Sequence, residues 1–181
     1  MRIKWFSLIR IIGLLLVLLY HFFQTIFPGG FFGVDVFFTF SGFLITALLI
    51  EEFSKNNEID LIGFFRRRFY RIVPPVVLMV LVTMPFTFLV RQDYVAGIGG
   101  QIAGVLGFMT NFYELLTGGS YESQFIPHLF VHNWSLAVEV HYYILWGLAV
   151  WFLSKQAKSN GQLKGMVFLL SAAAFLISFF S

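Results

Sequence analysis

The chain has 181 residues, of which 59% are hydrophobic and only 12% charged, against roughly 25% charged in an ordinary soluble domain. So few charges do not cover a water-soluble surface, and a soluble globular protein is excluded. Cysteine is absent, which removes disulfides, thiol nucleophiles and thiolate zinc sites, and a scattered net charge of +3 is too small to mark a nucleic-acid-binding protein.

Charges crowd into the N-terminal tail (Arg2, Lys4, Arg10), the stretch Glu51 to Arg71, and Lys155 to Lys164. About 20 apolar residues cross a bilayer core, and the stretches between the charges predict segments at 8–27, 32–50, 74–91, 95–115, 134–153 and 165–181. The expected fold class is all-α: a polytopic transmembrane helical bundle of five to six hydrophobic segments, multi-pass in the cell membrane. The first segment is too long for a signal peptide and lacks a small-residue cleavage site, so it reads as a retained anchor. Pro28-Gly29-Gly30 marks its end as a turn. Arg2 and Lys4 place the N-terminus in the cytoplasm, and the second segment returns the chain there with Lys55, Arg66, Arg67, Arg68 and Arg71. If 74–91 and 95–115 both crossed, the Lys- and Arg-free loop 116–133 would face inward and Lys155, Lys158 and Lys164 outward, against the usual bias. One of the two therefore does not cross. Gly97, Gly99, Gly100, Gly104 and Gly107 weaken a helix and make 95–115 the candidate for a re-entrant or cavity-lining piece. Glycine-mediated packing of a genuine span is the equal alternative.

Ionisable residues inside apolar segments are candidates for function. Arg10 and His21 are eleven positions apart in the first segment; at about 100° per residue they share one helix face, about 16 Å apart along the axis. A cation at the membrane mouth and a deeper imidazole can serve one elongated ligand, the arginine holding an anionic head and the histidine acting as general base. The structural alternative is a snorkelling arginine and a histidine bonded to a neighbouring helix. In the second segment Asp35 is either a partner for a histidine or an acid at a helix N-terminus, and Ser41-Gly42 either places a hydroxyl in a cavity or permits close packing.

Residues 62–73 predict an amphipathic helix on the cytoplasmic membrane surface, with Phe65, Phe69 and Ile72 on one side and Arg67, Arg68 and Arg71 on another. Pro74-Pro75 then restarts the chain at the third span. Such an arginine cluster suits anionic lipid headgroups or the phosphates of a nucleotide-bearing cofactor. At the fifth segment Asn133 is a candidate helix cap, and Glu139 lies in apolar sequence with Tyr143 at i+4 and Trp146 at i+7 on its face. A buried carboxylate needs a partner or a proton; His21 is the candidate partner, and packing against a neighbouring helix the alternative. His128 and His132 have the spacing of metal ligands on a helix, but no acidic third ligand stands at a comparable offset, so no metal is assigned.

Four blocks in order, from about Ile9 to Trp151, resemble the acyltransferase-3 family of multi-pass membrane acyltransferases, which includes bacterial O-antigen and peptidoglycan O-acetyltransferases. They are Arg10 with His21; Gly33-Val34-Asp35-Val36-Phe37-Phe38 with Ser41-Gly42-Phe43-Leu44-Ile45; Arg66-Arg67-Arg68-Phe69-Tyr70-Arg71-Ile72-Val73-Pro74; and His132-Asn133-Trp134-Ser135-Leu136-Ala137-Val138-Glu139. The resemblance implies an integral membrane O-acyltransferase that moves an acyl group, commonly acetyl, from cytoplasmic acyl-CoA to a hydroxyl of an extracytoplasmic glycan. It implies His21 as catalytic base or acyl relay with Arg10 supporting it, Arg68 and Arg71 (with Arg67 nearby) on the CoA phosphates, and Glu139 orienting the histidine. Asp35, Ser41, Trp134, Ser135 and Tyr143 would support these. The implied partners are the lipid bilayer, acyl-CoA, the glycan and an extracytoplasmic acyl-accepting domain or protein, with neither metal nor nucleic acid. Val140, His141 and Gly147 depart from the family pattern at peripheral positions. Family members have more spans, so residues 1–181 are expected to be the N-terminal part of the membrane domain, truncated in the last apolar run, and inactive alone. The competing readings are a transporter or flippase component, since such residues also line substrate pathways, and a non-catalytic remnant; the four-block match counts against the transporter.

Overall fold

The computed structural model describes residues 4–23, 25–89, 95–117 and 128–180, and among them the regular elements are all helical. These are α1 (Lys4–Phe22), α2 (Phe32–Asn56), α3 (Leu61–Thr83), α4 (Ile98–Leu106), α5 (Thr110–Thr117), α6 (Trp134–Gln156) and α7 (Asn160–Phe180), with 3-10 turns at Pro28–Phe31, Met84–Leu89 and Val131–Asn133. Four stretches, Pro28–Asn56, Leu61–Thr87, Val131–Gln156 and Asn160–Phe180, are long and apolar enough to cross a bilayer, and α1 adds the apolar run Ile11–Phe22. The expected all-α polytopic bundle is found. Arg2, the end of the expected 74–91 segment, residues 118–127 of the expected loop, and Ser181 lie outside the described residues.

Segment boundaries move for identifiable reasons. The first helix ends at Phe22, not residue 27, because the chain tightens into a turn in which the amides of Ile26 and Phe27 both bond the Phe23 carbonyl. Phe27, just before Pro28, sits at φ −122° and ψ 58°, as a pre-proline residue disfavours the α region. The second helix runs past residue 50 to Asn56, carrying the Glu51–Lys55 pair at 2.6 Å. Asn57 then stops it in the left-handed region at φ 55°, with its amide on the Phe53 carbonyl, as asparagine does at helix C-termini.

The expected surface helix and third span are one helix. Asp60 caps it by accepting from the Gly63 amide at 2.8 Å, and a Cβ at Gly63 would collide with that carboxylate. The helix then passes through Pro74 and Pro75 without ending. Each proline removes a donor, freeing the carbonyls of Tyr70 and Arg71, and an interior proline costs about 3 kcal/mol. The interruption is outweighed because Ile72, Val76 and Val80 continue one packed face across it, against Val105 and Phe130.

The glycine-rich segment 95–115 does not form one span. It breaks into α4 and α5, of nine and eight residues, each under about 15 Å long at 1.5 Å per residue against a core of about 30 Å. The break is at Gly107-Phe108, where Phe108 takes φ 53°. Tyr113 folds back over α4, so that a Cβ at Gly100 would lie 2.8 Å from its ring.

The chain divides into two compact units, one of Met1–Ile59 with Ala149–Ser181, the other Asp60–Leu148. In the first, α1 lies against α2 through glycines. A Cβ on Gly33 would stand 2.5 Å from the Gly13 carbonyl, and one on Gly30 would collide with the Leu16 carbonyl, so backbones approach as small residues permit in membrane bundles. Leu49 on α2 and Leu163 on α7 are fully buried. In the second, Val76, Val80, Val105 and Phe130 form the core.

Candidate functional site

In the first unit, helix α1 carries both Arg10 and His21, so the eleven-residue helical offset that puts the two backbones on one face holds. His21 is exposed. Helical periodicity aligns the two positions without saying what covers them. The His21 Nδ1 lies 2.8 Å from the Val17 carbonyl. A carbonyl only accepts, so Nδ1 carries the proton of the neutral ring and Nε2 holds the basic lone pair. The Tyr20 ring stands edge-on to it at 5.5 Å. On α2, Asp35 is exposed in the first turn, where its charge meets the helix dipole, and Ser41 is buried.

In the second unit, α3 and α6 wall a cavity of about 700 Å³ lined by Ile62, Phe65, Arg66, Arg68, Phe69, Ile72, Val73, Phe108, Val140, Tyr143 and Ile144. The walls are almost wholly apolar, with two guanidiniums among them. Arg68 lies over the rings of Phe64 at 5.5 Å and Tyr143 at 5.7 Å, contacts that favour a planar cation. The Tyr143 hydroxyl donates to Glu139, one turn earlier on α6, so the expected i+4 pairing is present, while Trp146 stacks on Tyr142 at 5.8 Å. Guanidinium, phenol and carboxylate thus stand in series, with Arg68 and Tyr143 lining the cavity.

Several expected placements change. Of the arginines assigned together, Arg68 lines the cavity and Arg67 and Arg71 do not; Arg66 does. Arg67 instead runs along Gly63 near the cap of α3, and Arg71 is exposed. Asn133 does not accept amides as a cap; its side chain donates to the Phe130 carbonyl at 3.2 Å, because the chain enters α6 through a 3-10 turn. Trp134 begins α6, half-buried, and Ser135 donates to the His132 carbonyl at 3.4 Å. His128 and His132 do not share a helix: His132 is in the 3-10 turn and His128 precedes it.

Sequence reasoning passed over a further pair. His128 Nδ1 is 2.8 Å from Glu114 Oε2 on α5, with 18% and 8% of the two side chains exposed. Buried Gln101 on α4 fixes the neighbouring chain, donating to the Ala96 carbonyl at 2.7 Å and accepting from the Phe130 amide at 3.3 Å. The available signal was a lone acid closing an apolar stretch, Glu114 in Phe112-Tyr113-Glu114-Leu115-Leu116, ahead of a histidine-bearing turn.

Comparison with known proteins shows the family of the chain. Residues 3–181 match the acyltransferase-3 family model, described as an acyltransferase domain. The O-acetyltransferase OatA of Staphylococcus aureus (strain NCTC 8325 / PS 47) is 32% identical over 150 residues, covering 83% of this chain and 25% of that protein. A putative O-acetyltransferase of Staphylococcus aureus (strain COL) is 34% identical over 136 residues, covering 75% of this chain and 22% of that protein. The chain thus spans about a quarter of the length of the curated relatives it matches. No solved structure matches it.

Proposed function

We propose that this chain, which belongs to the acyltransferase-3 family, works in a membrane O-acyltransferase that passes an acetyl-type acyl group from cytoplasmic acyl-CoA to a hydroxyl of an extracytoplasmic glycan. One observation carries the reading: an apolar cavity that places Arg66 and Arg68 beside the Tyr143–Glu139 pair. Acyl-CoA is itself a long uncharged arm, with methyl and methylene groups between its amides, behind phosphates. The aliphatic and aromatic walls suit the arm, and guanidiniums match phosphate oxygens with paired hydrogen bonds. Arg71, exposed on the same helix, extends the positive surface.

In this reading His21 serves as base or acyl relay through Nε2, the nitrogen left basic when Nδ1 is tied to Val17. Arg10, eleven positions earlier on the same helix, is assigned to the anionic end of the elongated donor, and Glu139 to orienting the base. The N-terminus is cytoplasmic. Helices α4 and α5 form a re-entrant hairpin, which leaves residues 116–133 outside and Lys155, Lys158 and Lys164 inside, restoring the charge bias.

The test is acyl transfer by the assembled enzyme that contains this chain, in lipid vesicles, with labelled acetyl-CoA on the cytoplasmic face and an oligosaccharide on the other. Free CoA thiol and an alkali-labile ester on the sugar are expected together. Thiol release without any ester, or neither product, would sink the reading.

A further inference from the structure

The Glu114–His128 pair has the architecture of an oriented base. Carboxylate oxygens accept, so Glu114 Oε2 holds the proton on His128 Nδ1 at 2.8 Å and leaves Nε2 as the lone-pair nitrogen. Histidines that move protons are held in the same way, with the carboxylate stabilising the imidazolium that forms. The acid is buried, and the histidine keeps 18% of its side chain exposed, so the ring is reachable while its orienting group is not. Tyr113 lies tilted against the ring at 5.6 Å, and Gln101 anchors the amide of Phe130 two residues on.

A second observation points to a ligand. Thr110 Oγ1, Asn111 Oδ1 and Glu114 Oε1 are buried and, among the described residues, have no hydrogen-bond partner. On helix α5 these three positions fall within an arc of about 100°, with Glu114 between the other two. Thr110 is 1% exposed and Glu114 6%. Buried oxygens without donors are costly, so this arc calls for groups that donate, as sugar hydroxyls or ordered waters do.

We propose that His128, oriented by Glu114, is the general base for the acceptor hydroxyl, and that the oxygens of Thr110, Asn111 and Glu114 help hold that hydroxyl-bearing ligand. This rests on the acyl-transfer reading above, in whose topology the pair lies on the glycan side. The hydroxyl proton moves to His128 Nε2 as the hydroxyl oxygen bonds to the acyl carbon. The bond from that carbon to the atom that delivered it then breaks, and the proton passes from Nε2 to the leaving atom. Glu114 is a positioning residue.

The experiment compares the assembled enzyme that contains this chain, as wild type, His128→Asn, His128→Gly and Glu114→Gln, in lipid with acetyl-CoA and an oligosaccharide. The His128→Asn side chain still donates to Glu114 but is no base; its ester formation is expected to fall about 100-fold or more, with the KM for acetyl-CoA unchanged. Imidazole in the buffer should restore part of the turnover of His128→Gly, which a purely structural histidine would not show. Glu114→Gln is expected to lower kcat about 10-fold or more with the acceptor KM unchanged. Nitrogen-15 spectra of labelled histidine should show a neutral ring protonated at Nδ1 that the His128→Asn variant lacks. Wild-type turnover by His128→Asn, no imidazole rescue, or a His128 ring protonated at Nε2 alone overturns the proposal and leaves the enzyme reading intact. A wild type that transfers nothing overturns both.

Discussion

The Tyr143 hydroxyl donates to the Glu139 carboxylate one turn earlier on α6, and the same phenol ring lies 5.7 Å from the Arg68 guanidinium. The two contacts join a carboxyl, a phenol and a guanidinium into one unit, two of whose members line the cavity. Groups that act as a unit lose their effect together. Tyr143→Phe and Glu139→Gln should each lower acyl transfer by about 10-fold or more, the scale of one charge-assisted hydrogen bond, and the double variant should be no worse than the poorer single one. Fully additive losses in initial rate would show that the residues act separately.

Arg68 is expected to serve donor binding. Arg68→Ala should raise the KM for acetyl-CoA about 10-fold, the loss of about 1.5 kcal/mol of charged hydrogen bonding, and change kcat far less. Arg68→Lys should recover little, since an ammonium does not fork onto phosphate as a planar guanidinium does. The measurement is initial rate against acetyl-CoA concentration. A kcat defect at unchanged KM would remove Arg68 from the donor site.

Much of this arrangement was legible in the sequence. Apolar run length identified the helices at 32–50, 134–153 and 165–181, and the i+4 offset of Glu139 and Tyr143 predicted their shared face. Glycine density in 95–115 raised a non-spanning piece and a glycine-packed span as equal alternatives, and the structure breaks the segment into two short helices. What escaped depends on contacts distant in the chain. Pro74 and Pro75 read locally as a boundary, but burial of Val76 and Val80 against Val105 and Phe130 carries the helix through them. Four nearby arginines look alike in sequence, and only side-chain packing sends Arg66 and Arg68, not Arg67 and Arg71, to the cavity. Glu114 and His128 are fourteen positions apart and meet in a way that no periodicity registers.

The α1–α2 contact offers a stability test that leaves the chemistry aside. Gly33→Ala places a methyl 2.5 Å from the Gly13 carbonyl, which the backbone must yield to. A loss of about 1–3 kcal/mol is expected from such overpacking. Gly165→Ala on α7 meets nothing within 4 Å and should be neutral or stabilising by about 0.5–1 kcal/mol, because alanine is the better helix former. Thermal melts in one detergent compare the two directly. Equal melting temperatures would mean that α1 and α2 are not in close contact at Gly33.

His21 separates the chemistry from the fold most cleanly. Its side chain is exposed and its Nδ1 is tied to the Val17 carbonyl within the same helix, so little tertiary packing depends on it. An exposed substitution usually changes stability by under about 0.5 kcal/mol. His21→Asn retains a side-chain N–H able to reach that carbonyl and removes the lone pair at Nε2. Thermal stability should therefore stay within experimental error of wild type while transfer falls about 100-fold or more, the smallest usual loss of a general base. Raising acetyl-CoA should not restore it, in contrast to Arg68→Ala, because the missing step follows binding. Turnover near wild type in the His21→Asn protein would remove His21 from the transfer step.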